Sequence, residues 1–161
     1  MFFKKIIKSL NQYITDQSWY SQAHHPFFGE VGYYGFKDER MGYWESEIDV
    51  DGLVVSVIIN SAIEELPTDI HQSFVESIIN NLDSTIAAVK PLMLNTLSEW
   101  VKFDRDEDWH RLFRLSGIEV PIDADVRNDW EISFECLVDK VGHHFTCYFK
   151  NGNPEFISVD G

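Results

Sequence analysis

The sequence predicts an α+β domain with helices packed on antiparallel sheet, and three observations carry that prediction. Residues 44–60, WESEIDVDGLVVSVIIN, alternate with period two on either side of Asp51-Gly52, which is the mark of a β-hairpin. From Ile70 to Val101 apolar side chains recur at spacings of three and four, which is the mark of amphipathic helix. From Trp130 to Val159 the period returns to two. Two antiparallel β-meanders flanking a helical middle indicate segregated α+β architecture, because a parallel α/β fold would alternate strands with helices. A chain of 161 residues is most simply a single domain, 1–161, able to bury roughly 70% of the surface its unfolded form exposes.

Taken in order, residues 1–15 predict an N-terminal amphipathic helix, with Phe2, Phe3, Ile6, Ile7, Leu10 and Ile14 on one stripe and Lys4, Lys5 and Lys8 away from it. Such a helix docks on its own core more readily than on a membrane surface. Lys8 interrupts the apolar run after Ile7 and no small-residue cleavage site follows, so the segment reads as retained and the protein as cytoplasmic. Asp16 to Pro26 reads as a polar connection, Phe28 to Phe36 as an aromatic strand and Lys37 to Gly42 as a charged loop. With the hairpin, these form a three-stranded meander over 28–60.

The hairpin carries its own register. Asp51-Gly52 favours a type I′ turn, since glycine takes positive φ without steric cost and aspartate tolerates it. That turn pairs Val50 with Leu53, Ile48 with Val55, Ser46 with Val57 and Trp44 with Ile59 on a core face. On the other face Asp49 meets Val54, Glu47 meets Ser56 and Glu45 meets Ile58.

Helices are expected over 68–116. Thr68 or Leu66 caps the first, Asp69 complements its dipole, and Ile70, Phe74, Val75, Ile78, Ile79, Leu82, Ile86 and Val89 form its apolar stripe. Pro91 is expected to break or kink it, with Leu92, Met93, Leu94, Leu97, Trp100 and Val101 continuing as a second helix. The acidic run Asp104 to Asp108 opens a short third helix with Trp109, Leu112 and Phe113 inward, ending at Ser116-Gly117. Over 129–160, Trp130, Ile132, Phe134, Cys136 and Val138 alternate against Phe145, Cys147 and Phe149 across a turn containing Gly142. Asn151-Gly152 then turns the chain into a last strand with Ile157 and Val159 inward.

Charge excludes whole classes of partner. Thirteen Lys and Arg against 27 Asp and Glu give a net −14, and the nine acids between Met41 and Val89 are accompanied by no Lys or Arg. Nucleic acid and anionic membrane are both bound through Lys and Arg that displace counterions, so neither is an expected partner. A basic protein surface or a cation suits this field, although acidity also confers solubility. No apolar run approaches the length of a membrane span. Cys136 and Cys147 lack CxxC spacing and fall on apolar strand faces, where buried free thiols are expected.

No motif names a reaction, and neither cofactor nor metal is expected. The pairs His24-His25 and His143-His144 chelate poorly, because adjacent residues in extended chain point to opposite sides. Glu107 and His110 match Glu-x-x-His once, whereas di-iron bundles need two such motifs and further glutamates. Nucleophile elbows, Walker loops, zincin helices, calcium loops and dinucleotide fingerprints are all missing from the sequence. The expectation is a protein that is not an enzyme.

What remains is a binding surface. Glu45, Glu47 and Asp49 on one strand face, extended by Asp51 and interleaved with Val54 and Ile58, form an acidic patch with apolar anchors, provided no helix covers it. Asp104, Asp106 and Asp108 form a second acidic candidate.

The hairpin YWESEIDVDG, the long amphipathic helix and the later segments WEISFE and NGNP resemble small bacterial proteins found at toxin loci. In size and charge the chain also resembles the immunity proteins of contact-dependent and type VI (polymorphic) toxin systems. The resemblance runs from Tyr43 onward and rests on turns and core positions, so it carries over no functional residue. It implies a cytoplasmic antitoxin that occludes a cognate effector, for instance a nuclease whose cationic groove an acidic surface would fill. The alternatives are a metal-dependent or small-molecule enzyme using the paired histidines, and a mimic of nucleic-acid charge that binds many basic proteins. The apolar residues in the patch favour one specific partner.

Overall fold

The computed structural model describes residues 18–36 and 42–160. The amphipathic segment 1–15 and most of the charged loop after Phe36 lie outside the described residues. Among these residues eight strands form one sheet in sequence order: β1 (Ser18–His25), β2 (Gly29–Phe36), β3 (Tyr43–Val50), β4 (Leu53–Asn60), β5 (Phe113–Val120), β6 (Trp130–Cys136), β7 (His144–Lys150) and β8 (Asn153–Asp160). Helices α1 (Asp69–Asn80) and α2 (Leu82–Trp100) and the single turn α3 (Trp109–Leu112) fill the connection between β4 and β5.

The α+β reading stands in coarse form, but the chain is dominated by its sheet. Two four-stranded antiparallel meanders are fused edge to edge, because β4 and β5 pair in parallel, Ser56 beside Gly117 through Ile59 beside Val120. A parallel pair needs a crossover long enough to return to the strand's starting edge, and the helices supply it.

Two strands contradict the sequence reading. The segment read as a polar connection, Asp16 to Pro26, holds β1, which pairs with β2 from Ser18–Phe36 to His25–Gly29. Its polar residues fit an edge strand, which needs no apolar alternation on both sides. The third helix does not reach Ser116-Gly117. It ends after one turn at Leu112, and Phe113–Val120 forms the central strand β5, with a bulge between Leu115 and Gly117. That bulge shifts the alternation by one residue and so hides the strand's period of two.

The helical boundaries also move. Pro91 lies inside α2, which runs unbroken from Leu82 to Trp100, and the break comes at Asn81 instead. Thr68 is the N-cap of α1 as expected. Within the predicted apolar stripes Phe74, Val75, Ile78, Ile86, Val89, Met93, Leu94 and Leu97 are buried, whereas Ile70 and Trp100 are exposed. Val138, expected to extend β6, sits exposed in the loop before β7.

One sheet face and the helices share a single core. A cross-strand row of that face runs Val57, Ile118, Ile132, Cys147, Ile157. Trp130 anchors the layer, stacked on Phe149 at 4.0 Å and meeting Phe74 of α1 edge-on at 5.6 Å. The hairpin register matches the sequence reading residue for residue, from Trp44–Ile59 to Val50–Leu53, and Tyr43–Asn60 extends it by one pair. Asp51 and Gly52 have φ of 53° and 81°, both left-handed, as a type I′ turn requires. Cys136 and Cys147 are buried free thiols, and burial pushes the Cys147 thiol up to about 12.

Candidate functional site

The buried helix side chains join the core face of the sheet, so the acid-bearing face of the hairpin points the other way. Glu47, Asp49, Asp51 and Val54 are exposed, Val54 to 67%, while Glu45 and Ile58 are half-buried. Asp49 is tied into the turn, its Oδ1 accepting the Gly52 N–H at 3.0 Å.

At the tip of the hairpin a cleft of about 490 Å³ opens between the β1–β2 turn, the β3–β4 turn and the C-terminal end of α1. Glu47, Asp49 and Asp51 line it together with Glu76, and apolar Phe27, Ile48 and Ile79 form its body. No Lys or Arg is among the lining residues. The C-terminus of α1 adds the negative end of a helix dipole, so charge and dipole favour a cationic guest with an apolar stem. The neighbouring turn is held from inside: buried His25 accepts the N–H groups of Phe27 and Phe28 at its Nδ1, at 3.1 and 3.2 Å.

The second acidic candidate is built differently. Asp104 accepts the Asp106 N–H at 3.0 Å, Asp108 caps the α3 turn through the His110 N–H at 3.1 Å, and Glu107 pairs with Arg111. Local turn and cap geometry accounts for these acids, and Arg105 and Arg111 interleave with them. Because β4 and β5 are parallel, the Asp51-Gly52 turn and the α3 turn open their strands at the same end of the sheet.

Sequence reasoning missed most of what surrounds the hairpin acids. The row through Glu45 continues across the open face as Gly32, Glu45, Ile58, Glu119, Glu131, Tyr148, Phe156. Glu119 and Glu131 sit directly opposite one another, and Asn60 donates to Glu119 at 2.8 Å. Burial pushes the Glu131 carboxyl up to about 7, helped by the charges of Glu119 and Asp160. At one end of the face Tyr20, Tyr34 and Tyr43 form a ladder with centroid spacings of 4.9 and 5.2 Å, and Tyr148 and Phe156 stack at 4.3 Å at the other. Burial, then the nearby Glu45 carboxylate, pushes the hydroxyls of Tyr34 and Tyr43 up to about 12. The missing signal was β1 and β5, without which neither the tyrosine ladder nor the glutamate pair can be assembled.

Comparison with protein-family models, curated proteins and solved structures gives no match. The histidine pairs are separated by the backbone. His24 is exposed beside Glu30 at 2.9 Å while His25 points inward, and His143 meets Asp139 at 3.1 Å while His144 meets Ser116 at 3.1 Å. Glu107 is engaged with Arg111 and His110 is exposed. Among the described residues no group of three or more His, Cys, Asp or Glu is arranged to hold a metal ion, and no helix is long and apolar enough to cross a membrane.

Proposed function

We propose that this chain is an immunity-type inhibitor, binding and neutralising a cognate bacterial effector toxin by stoichiometric occlusion through its acidic surface. The observation that carries the reading is the hairpin face with its adjoining cleft. Glu47, Asp49, Asp51 and Glu76 surround apolar Phe27, Ile48 and Ile79, and Val54 stands exposed beside them. Acids of one sign steer a basic partner to the surface, and desolvated apolar contacts then hold it. Apolar groups among the acids favour one specific partner over a general mimic of nucleic-acid charge.

The test is capture followed by reconstitution. A tagged chain is purified from its native cells at low salt, eluted at high salt, and the eluate identified by mass spectrometry. The expected result is one stoichiometric basic protein that arrests growth when expressed alone and is harmless when co-expressed with this chain. A captured protein whose toxicity is unaffected by the chain, or a clean chain carrying a bound metal or small molecule, overturns the reading.

A further inference from the structure

A second feature of the open face is a carboxylate enclosed by tyrosines. Glu45 lies in the row opposite Gly32, and Gly32 leaves an unfilled place on the sheet. The Tyr20 ring fills it, so closely that a Cβ on Gly32 would stand 2.9 Å from the Tyr20 Cε2. Tyr20 thus reaches diagonally across β2 toward Glu45. Tyr34 pairs with both Tyr20 and Tyr43 and lies close enough to Glu45 for that carboxylate to help push its hydroxyl up, and Tyr43 sits two residues before Glu45 on the same strand face. Tyr34 and Tyr43 stack at 5.2 Å with planes 21° apart, while Tyr20 remains 52% exposed. Among the described residues the core lies on the opposite face, so Tyr20 is left exposed and Tyr34, Tyr43 and Glu45 half-buried.

We infer that the Tyr20–Tyr34–Tyr43–Glu45 cluster is a cradle for an arginine side chain of the basic protein partner. The inference rests on the proposed inhibitor function and names the chemistry by which the open face recognises its partner. A guanidinium is planar and weakly hydrated, so it stacks on tyrosine faces while its fork of N–H groups meets a carboxylate; an ammonium can do only the second. A carboxylate accepts from several donors at once, so a guanidinium adds to the contacts that Glu45 already makes. Charge complementarity continues around the cluster: Glu119 and Glu131 follow Ile58 in the row of Glu45, and Glu47 and Asp49 lie further along the same face of β3.

The probe is N-acetylarginine amide, titrated into the full chain and followed by NMR of backbone amides and tyrosine ring signals. N-acetyllysine amide and the uncharged isostere N-acetylcitrulline amide serve as controls. The expected result is saturable shifts concentrated at Tyr20, Tyr34, Tyr43 and Glu45, with arginine binding about threefold tighter than lysine, as a stacking contribution predicts, and citrulline without effect. Tyr20→Ala and Glu45→Gln, each verified as folded by retained spectral dispersion, should abolish the preference for arginine. Absence of saturable shifts, equal response to lysine, or shifts centred on the Asp104–Asp108 loop would overturn the assignment. The two readings fail separately. A captured toxin whose affinity survives Tyr20→Ala and Glu45→Gln but not charge reversal at Glu47 and Asp49 would remove the cradle and leave the inhibitor function standing.

Discussion

Glu131 in the sheet and Gly42 just before β3 are each constrained by what surrounds them. Glu131 faces Glu119 across the β5–β6 ladder, half-buried, and its carboxyl is pushed up to about 7 from an ordinary 4.5. In the unfolded chain this group loses its proton at ordinary carboxyl pH, while the folded chain keeps it to near neutrality. The folded state therefore binds more protons between about 4.5 and 7, and the group's contribution to stability falls as pH rises through that window. Glu131→Gln should raise the Tm at pH 8 and leave it nearly unchanged at pH 4.5. Because the side chain is partly solvent-exposed, screening holds the gain below about 1 kcal/mol. Thermal melts of the two proteins at both pH values check the sign, and a variant less stable at pH 8 contradicts it. Gly42 is constrained sterically. A Cβ there would stand 2.1 Å from the hydroxyl oxygen of fully buried Tyr33 and 3.0 Å from the Ser61 carbonyl. Neither neighbour can withdraw, so Gly42→Ala should cost about 1–3 kcal/mol, as overpacked cores do, measurable by urea unfolding.

At the scale of elements, the start of α1 is the joint that ties the helical layer to the β5–β6 connection. The Thr68 N–H donates to the Nδ1 of His71 at 3.0 Å, and the His71 Nε2–H donates to the Ile122 carbonyl at 3.3 Å. Both bonds require a neutral imidazole with its proton on Nε2, and burial accordingly lowers the His71 pKa. The sign is opposite to that of Glu131. Below the ordinary histidine range the unfolded chain takes up a proton that the folded chain resists, so this contribution weakens as pH falls below about 6.5. His71→Ala should cost about 1 kcal/mol at pH 7.5, the worth of a helix cap, and the deficit should shrink at pH 5.5. A deficit that grows on acidification would show that the imidazole is held protonated instead. The long helix α2 offers a different lesson: Pro91 lies ten residues into it and the chain simply continues. Buried Val89, Met93, Leu94 and Leu97 on either side anchor both halves to the same core, which outweighs one lost backbone hydrogen bond.

For the molecule as a whole, the decisive arrangement is that one sheet carries two chemistries. Its inner face and the helices bury a single apolar cluster, and its outer face spreads carboxylates and tyrosines on both sides of β4, which contributes Val54 and Ile58 between them. Long-range attraction belongs to this scale, because it sums over the face and not over any one pair. The double variant Glu45→Lys/Glu47→Lys should therefore weaken binding of the captured toxin by at least about tenfold, mainly through slower association, and flatten the dependence of the association rate on salt. The fold should be unaffected, since both side chains stand outside the core. Stopped-flow association at two ionic strengths checks this, and an unchanged rate and salt slope would remove the hairpin face from consideration.

Local chemistry was enough to specify part of this protein. Asp51-Gly52 and its flanking alternation determined a hairpin, its register and its acidic face, because turn geometry and pleat periodicity act over a few residues. The same holds for the cap at Thr68, the burial of Phe74 to Leu97 and the Asn151-Gly152 turn. Tertiary pairing decided the rest. An edge strand as polar as β1 is held by its ladder to β2, and β5, broken by a bulge, is held between β4 and β6. Neither carries an uninterrupted period of two, and ladder bonds leave no mark on the sequence of either partner. The tyrosine ladder and the Glu119–Glu131 pair exist only through those bonds. The acidic hairpin could be read from one stretch of chain, while the surface it belongs to required knowing which strands lie side by side.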